Sequence, residues 1–258
     1  MIFLLCPLAV LTLILFVFSP SLRKHKALSQ INCRYIAHRG LHSEQVAENS
    51  LSAFALAAAS GYAIELDIRL TADGEVVVFH DGDLKRMCGE AENVSSLTLS
   101  ELKEYRLKTT DEKIPTLREC LSVAEKRVPL LIEFKCGKND CKRLCEAAER
   151  ILSDYKGLYF VQSFYPGVLF WYKRNRSAVC RGLLATHIRN YRFLSPFIFN
   201  FLTRPHFVSY SFKFSNSLGF RLQRLLGACA FGWTFHSEAE IDKKIFNAYI
   251  FEGFEPEK

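Results

Sequence analysis

The chain has 258 residues, 49% of them hydrophobic and 24% charged, with only 13 glycines and 8 prolines. That balance excludes a disordered, collagen-like or low-complexity protein. Lys and Arg number 34 against 27 Asp and Glu, a net charge of +7, and no charged residue precedes Arg23. The nine cysteines, an odd number set mostly in hydrophobic or helical stretches, do not suggest a disulfide framework and are simplest to explain in a reducing compartment.

Residues 2–18 read IFLLCPLAVLTLILFVF, an apolar run broken only by Pro7 and Thr12. As a helix it would reach roughly 25 Å, short of a ~30 Å hydrocarbon core but workable with local thinning of the bilayer. A cleaved signal peptide normally opens on a basic segment. Here no Lys or Arg precedes the run, while Arg23, Lys24 and Lys26 follow it. Residues 1–22 are therefore expected to form an uncleaved transmembrane anchor and 23–33 a basic juxtamembrane linker. Residues 34–258 would be the folded domain, held at the cell membrane by a single pass and facing the cytoplasm.

From Arg34 onward, short β-branched or aromatic runs alternate with helical stretches. Strands are predicted at Arg34–Ala37, Ala63–Leu70, Leu130–Phe134, Tyr159–Ser163, Arg181–Leu184, Phe207–Tyr210, Ala228–Thr234 and Ala248–Phe251. Helices are predicted at Asn49–Ala59, Thr116–Lys126, Lys142–Ser153 and Glu238–Phe246, the first capped by Asn49 or Ser50. Eight strands with helices between them point to one α/β domain, a closed (β/α)8 TIM barrel, rather than a doubly wound open sheet. Asp73-Gly74, between Ile64–Leu70 and Glu75–His80, is a hairpin signal. A two-residue turn there pairs Ala72 with Glu75 and Asp67 with His80, inserting an antiparallel strand after the second barrel strand.

Reactive groups in such a barrel gather where the strands end. Those ends carry His38 and Arg39, Glu65 and Asp67, His80 and Asp81, and Glu133 and Lys135. Glu65 and Asp67 are two apart, as are Glu133 and Lys135, so each pair shares one face of its strand. Three converging carboxylates repel one another unless a cation neutralises them, and oxygen-only ligands favour one hard divalent ion, Mg²⁺ or Ca²⁺. Two histidines beside that site suit proton transfer. Arg39 and Lys135 are placed to bind phosphate oxygens. Together these are the parts for displacement at phosphorus.

The run Ala37-His38-Arg39-Gly40, then Glu48-Asn49-Ser50, Glu65-Leu66-Asp67, Asp73-Gly74 and His80-Asp81 resembles the glycerophosphodiester phosphodiesterase family. Pro115-Thr116-Leu117, Glu133-Phe134-Lys135, Ser163-Phe164 and Trp233-Thr234 extend the match across the domain. The resemblance implies a TIM barrel that splits glycerophosphodiesters into glycerol 3-phosphate and an alcohol. It implies that His38 and His80 are the acid–base pair and that Glu65, Asp67 and Glu133 hold the divalent ion. Arg39 and Lys135 would contact phosphate, Glu48 would lie near the metal and glycerol, and Trp233 would line the glycerol pocket. Attack by the free 2-hydroxyl on phosphorus would explain a glycerol requirement. Two departures stand out: Ser50 replaces the more frequent Thr, and Phe251-Glu252-Gly253-Phe254 replaces an Asp-Gly pattern with a Thr-Asp.

Cys136, Cys141 and Cys145 are spaced irregularly for a zinc site. His25, His42, His187, His206 and His236 lack carboxylate neighbours in sequence. There is no Gly-rich phosphate loop, and the positive charge suits anionic substrates and an anionic membrane, with no nucleic-acid partner. Phenylalanines recur beside basic residues from Tyr191 to Phe220; part of Phe193–Pro205 is either core or an apolar, basic lip against the bilayer. The rival functions are a lysophospholipase D, a phospholipase C-like lipid phosphodiesterase and a non-catalytic membrane-attached module.

Overall fold

The structure is a computed structural model that describes residues 2–21, 23–31, 35–108, 110–125, 127–187 and 196–257. Eight parallel strands close a barrel: β1 (Tyr35–Ala37), β2 (Ala63–Leu70), β4 (Leu130–Phe134), β5 (Tyr159–Ser163), β6 (Cys180–Ala185), β7 (Phe207–Ser211), β8 (Cys229–Phe235) and β9 (Ala248–Phe251). β9 returns to β1 with Ala37 opposite Phe251, and β1 pairs β2 with Ala37 opposite Ile64. The predicted (β/α)8 architecture is present. Its outer helices include α2 (Leu51–Ala59), α3 (Leu117–Ala124), α4 (Cys141–Leu152), α5 (Pro166–Asn175) and α6 (Leu218–Leu225).

Strand alternation explains the layering. On β2, Ile64, Leu66 and Ile68 turn outward into the cluster that the helices cover, while Ala63 belongs to the barrel interior. Leu131, Phe160, Phe207 and Phe231 fill that interior, with the rings of Phe207 and Phe231 stacked 4.4 Å apart. α2 begins where Ser50 accepts a hydrogen bond from the Ala53 amide, and α3 begins with a Thr116–Glu119 capping box. α3 stops at Ala124, with Glu125 in the left-handed region and Lys126 outside the described residues.

Three expectations change. First, β3 (Val76–Val78) does run antiparallel to β2, but Leu70 pairs with Val76 and Ile68 with Val78. The turn is thus a three-residue loop, Ala72 to Gly74, with Gly74 at φ +86°, and the register slips by one from the predicted pairing. Ala72 N donates to Leu97 O, and Leu99 N donates to the Asp73 carboxylate; this contact with residues 97–99 accompanies the longer loop. Second, the predicted helix Glu238–Phe246 is only a 3-10 turn at Glu238–Glu240. The Asp242 carboxylate accepts from Lys244 N, a side-chain bond that competes with helical pairing.

Third, the apolar N-terminal segment forms one helix, α1 (Ile2–Phe18), of 17 residues. Among the described residues no helix is long and apolar enough to cross a membrane. The transmembrane-anchor expectation is corrected accordingly: at roughly 25 Å, α1 is shorter than the ~30 Å core. The stretch read as a linker contains a one-turn helix, Lys26–Ser29. Its Ala27 is buried with the interior cluster of the barrel, and Leu28 and Ile31 pack against that cluster. Residues 32–34 lie outside the described residues.

Candidate active site

The site is built on the pairing of β2 with β4. Their register sets Glu65 beside Leu131 and Asp67 beside Glu133, so two acidic side chains meet on adjacent strands at one level. Glu65, Asp67 and Glu133 each bring a carboxylate oxygen to within 4.8 Å of the others, and all three are buried. Among the described residues no other group of three His, Cys, Asp or Glu side chains converges in this way.

The loop after β1 wraps around this cluster. Arg39 lies at φ +56° and Asn49 at φ +53°, a left-handed conformation that costs a non-glycine residue energy and collects at functional sites. The turn lets Arg39 N donate to Glu65 Oε2 at 3.0 Å and Arg39 O accept from Asn49 N at 2.9 Å. Asn49 Nδ2 donates to Asp67 Oδ2 at 3.0 Å. Gly40 follows at φ +82°, where a Cβ would lie 2.8 Å from Ala53 Cβ. A glycine is therefore required for the loop to sit on α2.

Cations surround the acids. Lys135 Nζ is 2.6 Å from Glu133 Oε1 and 3.2 Å from Asp67 Oδ1; Arg39 Nε is 3.4 Å from Asp67 Oδ2. Burial and the charges of Asp67 and Glu133 push the Glu65 carboxyl well above its usual range. Burial, aided by Asp67 and opposed by Lys135, pushes Glu133 up to about 7. Burial also acts against ionisation of Asp67, but Lys135 and Arg39 overcome it and hold that carboxyl well below its usual range. Two of the three acids are thus poorly neutralised by protein groups alone. This is the electrostatic signature of a site that fits a divalent cation.

The two histidines each lean on a carboxylate. His38 Nδ1 lies 2.7 Å from Glu252 Oε2, and His80 Nδ1 lies 2.7 Å from Asp81 Oδ1. Burial lowers the His80 pKa, against the pull of Asp67. Asp81 Oδ2 in turn accepts from Arg86 Nε at 2.6 Å, while both terminal nitrogens of Arg86 reach Glu48 at 2.7 Å. Glu48 also receives Arg39 Nη1 at 2.7 Å. Although burial opposes ionisation, Arg86 and Arg39 bring Glu48 down to about 2. Arg69 completes this side by donating from Nε and Nη2 to His80 O.

His38, Arg39, Glu65, His80, Glu133, Lys135 and Trp233 line a single cavity of about 160 Å³. Its apolar wall is Phe164, Leu184, Trp233 and Ile250, with Phe164 and Trp233 edge-to-face at 5.8 Å. Asp67 lies beneath it, in the carboxylate cluster, and Glu48 stands behind Arg39, reached through its guanidinium. All nine residues singled out from the sequence therefore fall in one constellation. Glu252, Arg86 and Asn49 were not assigned roles from sequence, and Asp81 was noted only by position. An acidic residue directly after the last barrel strand was the one available signal for Glu252. His42 does have carboxylate company, 3.6 Å from Glu252 Oε1.

Comparisons with known proteins agree with this geometry. The model of the glycerophosphoryl diester phosphodiesterase family matches residues 38–244. Human glycerophosphodiester phosphodiesterase 1 is 35% identical over 147 residues, 52% of this chain and 44% of that protein. The lysophospholipase D GDPD1 of Rattus norvegicus is 33% identical over 150 residues, 53% of this chain and 46% of that protein. The match spans about half the length of these curated relatives. A glycerophosphodiester phosphodiesterase from Thermotoga maritima superposes with a TM-score of 0.68 at 28% identity, covering 85% of this chain and 94% of that one. An Oleispira antarctica phosphodiesterase, solved with its product sn-glycerol-3-phosphate, shares the fold with a TM-score of 0.77 at 23% identity, covering 87% and 94%. The chain belongs to the glycerophosphoryl diester phosphodiesterase family.

Proposed function

We propose that this protein is a divalent-metal-dependent phosphodiesterase that hydrolyses glycerophosphodiesters to glycerol 3-phosphate and an alcohol. The observation that carries this reading is the meeting of two carboxylate-paired histidines and three clustered carboxylates around one cavity. Glu65, Asp67 and Glu133 would hold one hard ion, Mg²⁺ or Ca²⁺, because the donors are all oxygen. When bound, it neutralises the carboxylates and draws charge from a phosphoryl oxygen.

The protein's own groups supply the rest. Arg39 and Lys135 sit on the cavity wall and bind the non-bridging phosphate oxygens. Each histidine has its Nδ1 engaged by a carboxylate, which leaves Nε2 free for proton transfer. One takes the proton of the attacking glycerol 2-hydroxyl, and the other gives a proton to the departing alcohol oxygen. Water then opens the cyclic phosphate with the two roles exchanged. Trp233, Leu184 and Ile250 provide a surface for the glycerol carbons. A second cavity, of about 460 Å³, shares Glu133, Lys135 and Phe164 with the first and is lined further by Arg69 and Tyr165. It gives the alcohol portion a place to lie.

A lysophospholipase D activity is the second reading. It is favoured by Phe164, half-exposed and shared by both cavities, which offers an apolar surface beside the phosphate site. We also propose that the protein lies at the cell membrane with its domain on the cytoplasmic side, a reading supported by the basic Arg23, Lys24 and Lys26 beside an uncharged apolar segment, which suit an anionic leaflet. The enzymatic reading is tested with glycerophosphocholine, glycerophosphoethanolamine and lysophosphatidylcholine, each with Mg²⁺, Ca²⁺ or chelator. Release of glycerol 3-phosphate from the first two supports the main reading, and cleavage of the lysolipid alone supports the second. Turnover of none of them in either metal would overturn both.

A further inference from the structure

The N-terminal helix is not a free tether. Its C-terminal carbonyls, which a helix leaves unpaired, are taken up by side chains of the barrel. Asn200 Nδ2 and Gln223 Nε2 both donate to Phe18 O at 2.9 Å, and they bond each other at 2.9 Å. Arg204 Nη1 donates to Phe16 O and Ser19 O, and its guanidinium lies 4.6 Å from the Phe16 ring centre. Ser21 N closes the join on Pro205 O at 2.8 Å. Asn200 and Gln223 are fully buried, so the clamp is part of the folded domain. α1 packs on the segment that joins β6 to β7, against the 3-10 turn Pro196–Phe199 and the single-turn helix Asn200–Thr203.

From Val10 to Phe16 the apolar side chains of α1 are largely exposed. Val10, Leu11, Leu13, Ile14, Leu15 and Phe16 are 40–61% exposed. At 3.6 residues per turn these positions cover every side of the helix. A helix that is apolar all round belongs in an apolar medium. On the segment that carries it, Phe199, Phe201 and Leu202 are also 36–45% exposed, whereas Phe197 is fully buried. Phe193 lies outside the described residues. The chain leaving α1 carries the exposed Arg23, Lys24 and Lys26, complementary to anionic headgroups.

We infer that α1 and the lip Phe199–Phe201–Leu202 form one rigid docking surface that enters a lipid bilayer together, so that the clamp holds the barrel against the membrane in a fixed attitude. The inference rests on the membrane placement proposed above and is independent of the phosphodiesterase reading. It goes beyond a tethered domain because the barrel itself contributes apolar side chains to the contact. A second copy of this chain is the competing occupant, but it would not use the basic collar.

The test is flotation of the full chain with vesicles of phosphatidylcholine and phosphatidylglycerol, for wild type, the triple variant Phe199→Ser/Phe201→Ser/Leu202→Ser, and the control Leu56→Ser. Leu56 is comparably exposed on α2, away from the lip. The expected result is that wild type and control float, while the triple variant partitions about tenfold or more weakly. Far-ultraviolet circular dichroism and a cooperative thermal melt matching wild type report that the triple variant is folded. Equal flotation of wild type and folded triple variant would overturn the docking surface while leaving the membrane placement standing. No flotation of wild type would overturn both, as would light scattering that shows a dimer, disrupted by the triple variant, in place of vesicle binding.

Discussion

His38 Nδ1 and Glu252 Oε2 lie 2.7 Å apart, across the seam where the last barrel strand closes on the first. The contact joins residues 214 positions apart in sequence. It orients the His38 ring and presents Nε2 to the cavity. The hydrogen bond from His38, with burial opposing it, holds the Glu252 carboxyl down to about 2, so the partner remains an anion throughout the neutral range.

That geometry separates two kinds of effect. Replacing His38 or His80 by Ala removes a proton-transfer group and should lower kcat by about a thousandfold. Glu252→Gln keeps the size but weakens the orienting bond, and should lower kcat by roughly ten- to a hundredfold with KM little changed. Steady-state kinetics on one glycerophosphodiester checks both. Equal losses for Glu252→Gln and His38→Ala would show that Glu252 does more than position the ring.

Metal removal should change how stability depends on pH. Glu133 has a folded pKa of about 7 against an ordinary 4.5, and Glu65 is also raised. A raised carboxylate costs stability once pH exceeds its unfolded value, because the unfolded chain then releases the proton more readily. Chelated protein should therefore lose stability as pH rises from about 4.5 through 7. Added Mg²⁺ or Ca²⁺ should raise Tm most at the alkaline end, where the site is ionised. Thermal melts across pH, with and without chelator, measure this; a metal-induced shift independent of pH would contradict it.

Glu48 works in the opposite sense. Its folded value of about 2 lies below the ordinary 4.5, so its contribution is present above pH 4.5 and is lost as pH falls towards 2. Allowing for the solvent-exposed side of Arg86, the contribution is about 2 kcal/mol at neutral pH. Arg86→Ala should remove part of it and shift the acid unfolding midpoint upward. The same variant releases Asp81, the partner of His80, and so should lower kcat as well.

Neutralising the buried acids distinguishes function from folding. Glu65→Gln should abolish metal-induced stabilisation and activity together, yet leave the chelated protein as stable as wild type or more so, because a buried carboxyl that ionises more readily in the unfolded chain is removed. Calorimetry of the chelated variant measures the second effect. A strongly destabilised variant would mean that Glu65 is mainly a structural hydrogen-bond acceptor for Arg39 N.

Much of this was legible in the sequence, for physical reasons that differ from residue to residue. The period-two spacing of Glu65 and Asp67 places both on one face of β2 whatever the neighbouring strands do, and the end of β4 repeats the pattern with Glu133 and Lys135. Glu252 was not legible as a partner of His38, since only barrel closure brings them together. The hairpin register was missed by one position because the strand-turn rule acknowledges Asp73-Gly74 but not the contact with residues 97–99. The helix expected at Glu238–Phe246 has the right apolar spacing at Ile241, Ile245 and Phe246, yet the Asp242 side chain takes a backbone amide that a helix would need. For α1, composition identified an apolar segment, whereas its attachment to the barrel depends on the buried amides of Asn200 and Gln223, far along the chain.

The central claim is that two histidines and a metal-binding carboxylate cluster act on one phosphodiester. Its most direct test is the release of glycerol 3-phosphate from glycerophosphocholine or glycerophosphoethanolamine by the full chain, run beside His38→Ala, a chelated sample and a substrate analogue lacking the glycerol 2-hydroxyl. The account predicts release by the metal-loaded wild type alone, with the analogue left intact. Release that persists in the His38→Ala variant or in chelator, or cleavage of the analogue at a comparable rate, would contradict it.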